Sequence, residues 1–471
     1  MRQSCMTLAK QFRFFNKFAL LKWRVSGVCV VVNVIAFPDR QIAGDKQTAK
    51  SGILAALDIG SSKISCMIGE LRGPRARGQS DLRSNLRVVG FGQTASRGIK
   101  SGAVVDVAEA ECAIRLAVDA AERSAQISIH SITVALSGGR PATATHTGHV
   151  MTQTGIVGPR DVEAALMQAL GHADTQGRPI LHLHPVNHAL DNVTGIGRPL
   201  GLHGAELQAD VGITTVDHAY LRNIALAVGR AHLEPSNFVL ASYAAGKSAL
   251  TADERALGSV VIEIGGSVTS LAFIRHDKLV AAESFNMGGQ LLTNDVAHGL
   301  STSIAHAERM KTLFGTAIEG GHDEREMLAV PLLGEKGTDS VQRVAKGFLT
   351  RILVARLEEI FEHCAKRLAS PAFAQSAGTR VVLTGGGSLM PGLAEFAARV
   401  LNRTVRVGFS TALNGMSEHQ RHAGFTVLSG ALLHAARPDP HYALPEKAWN
   451  ALAEARMGYA RRLGRWLAEA L

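Results

Sequence analysis

Three short glycine-bearing stretches, spread in a fixed order over more than three hundred residues, constrain this chain of 471 residues more than any other feature. The first is Leu57-Asp58-Ile59-Gly60-Ser61-Ser62-Lys63 and the second Val261-Ile262-Glu263-Ile264-Gly265-Gly266-Ser267. The third is Leu383-Thr384-Gly385-Gly386-Gly387-Ser388-Leu389-Met390-Pro391-Gly392. In each, aliphatic and β-branched residues run into a tight glycine turn, which predicts a buried strand ending in a loop whose bare backbone N–H groups can approach a phosphate. The first two also place an acidic residue at the strand end, Asp58 and Glu263, where a hydrated Mg2+ would need one. Any one of these loops alone is a hairpin turn. Two acidic ones facing each other make a phosphate clamp.

Length and composition set the frame. A chain this long exceeds a single core and divides into two or three domains. With 46% hydrophobic and 19% charged residues it is an ordinary globular protein, and its five cysteines (Cys5, Cys29, Cys66, Cys112, Cys364) show no CxxC spacing. That favours a reducing cytoplasm over a disulfide framework or a zinc site. The net charge of +10 is concentrated at the ends: residues 1–50 carry +7 and residues 446–471 carry +2, leaving the body about +1. A nearly neutral body argues against a nucleic-acid groove.

The order of the three loops resembles the actin, Hsp70 and sugar-kinase ATPase superfamily. That resemblance implies ATP and Mg2+ as cofactors, with Gly60, Ser61, Ser62, Lys63, Gly265, Gly266 and Ser267 at the β- and γ-phosphates. Gly385, Gly386, Gly387, Ser388 and Met390 would lie against the adenosine, and Asp58 and Glu263 would hold the metal through water. Further segments narrow the match. Phe91-Gly92-Gln93-Thr94-Ala95-Ser96-Arg97-Gly98, followed by Gly102, Val104 and Asp106, is similar to the early region of the FtsA family of bacterial cell-division proteins. So is Gly288-Gly289-Gln290-Leu291-Leu292-Thr293-Asn294-Asp295-Val296-Ala297, the turn into a helix of the second large domain. Ile180-Leu181-His182-Leu183-His184-Pro185 and Arg198-Pro199-Leu200-Gly201-Leu202-His203-Gly204 resemble its small inserted subdomain.

The fold expected is α/β: an actin-like two-lobed ATPase fold of two RNase H-like domains, with an inserted small α+β subdomain and a C-terminal amphipathic helix. Residues 1–50 read as a basic, poorly ordered extension, with a membrane-interacting segment as the alternative. Its clean apolar run, Val25 to Val32, is short of the ~20 residues of a spanning helix. The first domain takes residues 51–136 and 215–257, the insert 137–214, and the second domain 258–410. Residues 411–436 return to the first domain. Pattern predicts strands over Ile53–Leu57 and Lys63–Gly69, an exposed Arg/Gly-rich tip over Gly73–Asn85, a strand over Arg87–Gly92, a helix over Val107–Ala125 and a strand over Ser131–Leu136. Within the insert it predicts a helix over Asp161–Leu170 and a strand over Pro179–Leu183. His182, His184 and His188 there are read as polar strand residues, with a metal site as the alternative.

A helix over Asn237–Ala249, capped by Ser236, is expected to cross between the halves, and Asn237 is its best candidate for orienting the attacking water. Its Leu240-Ala241-Ser242-Tyr243-Ala244 is one Ser short of the family's pattern. The second loop also departs from the family's Asp-Ile-Gly-Gly-Gly-Thr-x-Asp, with Glu263 for Asp, Ser267 for Gly and Ser270 for Asp. These changes favour binding with slow or negligible turnover. Glu308 and Lys311, at i and i+3, share a helical face. They are either a solvated pair or a ribose contact, and the matching order favours the ribose.

Past Pro438, Pro440 and Pro445, residues 437–447 have linker chemistry and residues 448–471 a helical pattern. Trp449, Leu452, Tyr459, Leu463, Trp466, Leu467 and Leu471 gather on one face at 100° per residue, with Arg461, Arg462 and Arg465 opposite. Arg456 falls within the apolar face, where its long side chain can snorkel. A core helix is also amphipathic, but tryptophans paired with arginines beyond a proline linker suit a membrane interface. The tail is similar to the FtsA membrane-targeting helix. Membership would imply an ATP-binding protein that forms filaments with itself on the cytoplasmic face of the inner membrane at the septum. It would tether the tubulin-like FtsZ there and recruit later divisome membrane proteins, bind anionic lipid peripherally and bind no nucleic acid. A pilus-assembly relative lacks such a tail, a small-molecule kinase needs a sugar cleft with a carboxylate base, and an Hsp70-type chaperone needs a long β-rich domain after the third loop.

Overall fold

The computed structural model describes residues 52–72, 85–321, 323–334 and 341–436, and the backbone of two strands at 18–25 and 28–35. The Arg/Gly-rich tip over 73–84, the proline linker and the amphipathic tail lie outside the described residues.

Two five-stranded sheets of identical topology form the body. In the first, Gly52–Ile59 pairs antiparallel with Lys63–Leu71, which pairs antiparallel with Leu86–Ala95; on its other side Gly52–Ile59 runs parallel to Ser131–Leu136, and that to Glu234–Leu240. The second repeats this: the meander Ser259–Ile264, Thr269–Arg275, Lys278–Phe285, then the parallel strands Arg380–Thr384 and Val405–Val407. The central strands are buried almost end to end, as both-face-covered strands require, and this is why their sequences read as continuous aliphatic runs. Helix Val107–Ala125 covers the first sheet, buried through Ala110, Ala113, Ile114, Ala117, Val118 and Ala121. Its N-terminus is capped by Asp106, whose carboxylate accepts from Ala108 and Glu109 N–H at 2.9 and 3.0 Å.

Two short helices join the halves. Ala241–Ala249 leaves the last strand of the first sheet, and Thr426–Ala436 returns from the second lobe. Both are buried nearly all round. They touch where Gly430 meets Ala244: a Cβ on Gly430 would stand 1.7 Å from the Ala244 carbonyl oxygen. Beside this contact Ser248, Ser410 and Ser429 form a buried hydroxyl chain, 2.8 Å from Ser248 to Ser429 and 2.6 Å from Ser410 to Ser429. One continuous core therefore runs from the first sheet through both helices to Val261, Ala272 and Ile274 of the second.

The expected helix Asn237–Ala249 is in fact two elements. Residues Glu234–Leu240 extend the first sheet as a parallel strand beside Ser131–Leu136, and the helix starts at Ala241 with Leu240, not Ser236, at its N-cap. Phe238, Val239 and Leu240 fill a fully buried strand position, a demand that outweighs local helix permissiveness.

Between the first lobe's strand Ser131–Leu136 and helix His218–Arg230 lies the insert. Its sheet holds Ala142–Met151, Glu206–Thr215 and Ile180–Leu190, longer than the predicted Pro179–Leu183, with helix Pro159–Gly171 packed across it on Ala165, Leu166 and Ala169. Strands Phe18–Val25 and Val28–Ile35 form a hairpin that joins this sheet through Val34 opposite Ile180, in a stretch read from sequence as poorly ordered. The β-branched run Val28–Ile35 carried that signal.

His182, His184 and His188 are buried rather than polar surface residues of the strand. The Nε2 of His182 accepts from Leu240 N–H at 3.1 Å, and its ring lies 5.3 Å from Tyr243 and 6.2 Å from His434. His188 Nδ1 lies 3.2 Å from the Ile196 carbonyl. The His182 and His184 rings seat the insert on the joining helices, and among the described residues no group of three or more His, Cys, Asp or Glu is placed to hold a metal.

The helix contact at Gly430 sets a stability prediction. Gly430→Val inserts a branched side chain into a backbone contact with no room for one, so it should cost about 3 kcal/mol or more. Chemical denaturation of the two proteins measures this; a midpoint unchanged by the substitution would mean the helices separate freely.

Candidate functional site

A cleft of about 960 Å³ opens between the two sheets, and all three glycine loops line it. The first two loops are hairpins closed by the same bond: Gly60 N–H donates to the Lys63 carbonyl at 3.1 Å, and Gly265 N–H to the Val268 carbonyl at 2.9 Å. They face each other at contact, since a Cβ on Gly266 would lie 3.1 Å from the Cβ of Ser62. Ser61 Oγ accepts from Gly102 N–H at 2.9 Å, which ties the first loop to the Gly-x-Val-x-Asp segment. The third loop rests on the second: Gly385, at φ 85°, would place a Cβ 2.5 Å from the Ile264 carbonyl oxygen, so only glycine fits. A Cβ on Gly386 would meet nothing within 4 Å, which leaves open space on its cleft side.

Asp58 and Glu263 sit at facing strand ends, 9% and 6% exposed. Burial pushes Asp58 up to about 6, with Lys63 opposing the shift. Burial, and next the charge of Asp58, push Glu263 up to about 8, against a hydrogen bond at 3.0 Å from Ser270 and the charge of Lys63. Ser270, which stands where the family pattern has a second aspartate, thus donates to Glu263 instead of adding a third carboxylate. Lys63 is itself pulled down by burial, partly offset by both acids, and its Nζ stands 3.6 Å from the ring centre of Phe425. Burial disfavours the ionised form of both acids, and only one cation stands beside them; a divalent cation near the acids and an anion near Lys63 and the loop N–H groups would let them ionise. The residues present therefore fit a metal-bound polyphosphate.

Glu308 and Lys311 line the same cleft from one helix and pair at 2.7 Å. Lys311 Nζ also donates to Thr293 Oγ1 at 2.8 Å and to the Gly289 carbonyl at 3.1 Å, which anchors the pair to the preceding helix, Gly289–Gly299. Burial alone would raise the Glu308 carboxyl, but the hydrogen bonds from Lys311 and Thr293 hold it below its ordinary range. The pair is anchored at the cleft wall, with the Glu308 side chain about half exposed.

Of the residues singled out from sequence, Asp58, Gly60, Ser61, Ser62, Lys63, Glu263, Gly265, Gly266, Ser267, Glu308, Lys311, Gly385, Gly386, Gly387 and Met390 all line the cleft. Two do not. Asn237, displaced from the helix to the strand, bonds His434 Nε2 through its Nδ2 at 3.1 Å and its own neighbour Phe238 N–H through its Oδ1 at 2.9 Å. Ser388 is buried, and its hydroxyl donates to the Gly385 carbonyl at 2.8 Å, so it shapes the loop from behind. Sequence reasoning passed over Ser137, Ile304 and His422, which also line the cleft. None stands in a glycine loop, so nothing local marked them.

The duplicated sheets closing on a glycine-lined cleft define the actin-like ATPase fold. A solved structure of a PilM-PilN type IV pilus biogenesis complex shares it, with a TM-score of 0.54 at 17% identity, over 82% of this chain and 99% of that one. Residues 260–430 match the family Cell division protein FtsA, and residues 138–215 match the SHS2 domain inserted in FTSA. The chain is 36% identical over 422 residues to the cell division protein FtsA of Agrobacterium fabrum and 37% identical over 429 residues to that of Rhizobium meliloti. Each comparison covers 89% of this chain and 95% of the relative. The chain belongs to the FtsA family of cell-division proteins.

The raised carboxyls give a pH prediction with a definite sign. Glu263 titrates at 4.5 when unfolded and at about 8 in the fold, so between those values the folded protein holds a proton the unfolded chain has lost. The resulting stability is complete below 4.5, falls as pH rises by up to ~1.4 kcal/mol per unit, and is gone above 8; Asp58 acts in the same sense. Thermal melts of the nucleotide-free protein in EDTA should therefore lose temperature from pH 6 to pH 8, with a shallower loss in Glu263→Gln. Equal slopes would mean the carboxyl is ionised in the empty cleft.

Proposed function

We propose that this protein binds ATP with Mg2+ in the cleft, turns it over slowly or negligibly, and assembles with itself into filaments on the cytoplasmic face of the inner membrane at the septum. There it tethers FtsZ filaments and helps recruit later divisome membrane proteins. The observation that carries the reading is the facing pair of loops, with Asp58, Glu263 and Lys63 between them, in a chain of the FtsA family. Bound Mg2+ would supply positive charge that neutralises phosphate oxygens. Asp58 and Glu263 would hold it through water, Lys63 and the loop N–H groups of residues 61, 62, 266 and 267 would hold the phosphates, and Gly386 and Met390 would border the adenosine. Glu for Asp at 263, protonated in the empty cleft and engaged by Ser270, supports binding over rapid turnover. A ligand that contacts both lobes favours the arrangement in which they are closed, the state suited to filament contacts.

The amphipathic pattern over 448–471 supports peripheral attachment: Trp449, Leu463, Trp466 and Leu467 would enter the lipid, and each of Arg461, Arg462 and Arg465 would add about 1 kcal/mol beside an anionic leaflet. Filaments would multiply weak tails into firm attachment. No described helix is long and apolar enough to cross a membrane.

Two measurements test this. Calorimetry with Mg-ATP up to millimolar should show binding, and Asp58→Ala or Glu263→Ala should weaken it more with Mg2+ than without; no heat, or equal losses, would remove the nucleotide or the metal reading. Deleting residues 446–471 should abolish flotation with anionic liposomes while leaving ATP binding and melting temperature nearly unchanged, and Trp466→Glu should do the same. Unfolding of the truncated protein would make the tail part of the core.

A further inference from the structure

The cleft has a second basic wall that no glycine loop supplies. Downstream of the third loop, the segment His422-Ala423-Gly424-Phe425 turns past it: a Cβ on Gly424 would lie 3.8 Å from Gly386 Cα and 3.5 Å from Lys63 Nζ. His422 lines the cleft and is exposed to it. Its Nδ1 accepts a long bond from Gly424 N–H at 3.4 Å, which leaves the proton of the neutral ring on Nε2. The ring stacks on His419 at 6.4 Å with 23° between planes, and His419 in turn meets the Phe425 edge at 5.4 Å, the same ring that carries Lys63. One aromatic thus gathers one permanent cation and two titratable ones at a single corner of the cleft.

We propose that His422 is a proton-dependent ligand for the nucleotide's phosphates, neutral when the cleft is empty and charged when they are bound, so that nucleotide affinity rises as pH falls. This rests on the nucleotide reading above and assigns the class of group recognised, a polyphosphate anion. The charged groups acting on His422 are Lys63 from the first hairpin and His419 from its own segment; the third loop beside it, Gly385 to Gly387, brings no charge, and neither Asp58 nor Glu263 contributes to its shift. With the cleft empty, burial first, then Lys63 and His419, hold His422 below its ordinary value. A phosphate reverses this balance, because it offers the imidazolium a charge-assisted acceptor and neutralises Lys63. The exchange is a proton uptake: one proton leaves the buffer for Nδ1, at the cost of the long bond from Gly424, and no covalent bond changes.

The test compares the full-length parent with His422→Gln and His422→Lys, with ATP in EDTA and with Mg-ATP, by calorimetry in two buffers of different ionisation enthalpy between pH 6 and pH 8. The parent should take up more protons on binding than His422→Gln, and its affinity relative to that variant should rise several-fold from pH 8 to pH 6, towards the roughly tenfold limit of a one-unit pKa shift. His422→Lys should bind at pH 8 as the parent does at pH 6, since its charge is permanent. Identical pH profiles and proton counts for the parent and His422→Gln overturn the proposal while leaving nucleotide binding intact. Absence of binding in every protein at millimolar ATP overturns both.

Discussion

Two carboxyls buried on facing strand ends are the constraint around which the molecule is built. Asp58 and Glu263 belong to different sheets, yet burial raises both, the charge of Asp58 raises Glu263 further, and Lys63 opposes both shifts. Such a group of charges is costly in a dry interior, and the fold accepts the cost because the glycine turns beside them leave room for counter-charge to enter. The halves have little reason to meet at this point without it. Their sheets share apolar contact through the joining helices, while the loops above present polar atoms to each other across the cleft.

Each half repeats one solution: a three-stranded meander whose first turn carries the acid and the glycines, followed by two parallel strands. The repetition explains why the two hairpins close with the same N–H to carbonyl bond and arrive as near mirror partners. The differences between them are local. Ser270 donates to Glu263 in the second, whereas the first ties its Ser61 to Gly102, a residue outside the sheet.

The sequence was most legible where chemistry and strand pattern coincide. Aliphatic runs ending in Asp58-Ile59-Gly60 and Glu263-Ile264-Gly265 admit few alternatives, and helix Val107–Ala125 follows directly from its spacing and from the Asp106 cap. Legibility failed where tertiary burial decides. The stretch Glu234–Leu240 is helix-permissive alone, but a slot beside Ser131–Leu136 makes it a strand and carries Asn237 away from the cleft. His182 and His184 look polar, yet Tyr243 and His434, distant in sequence, enclose them. His422 bears no motif at all; only the folding of its segment against Gly386 and Lys63 brings it to the site.

The serine chain between the joining helices has a mechanical consequence. At Gly430 the two backbones touch, so they can neither approach nor part without loss. Ser248, Ser410 and Ser429 beside them hold on by hydroxyls, each able to give or take a proton and to rotate about its own bond. The joint is thus closed at the backbone and satisfied beside it by hydroxyls, so the spacing of the two lobes is set where their helices touch.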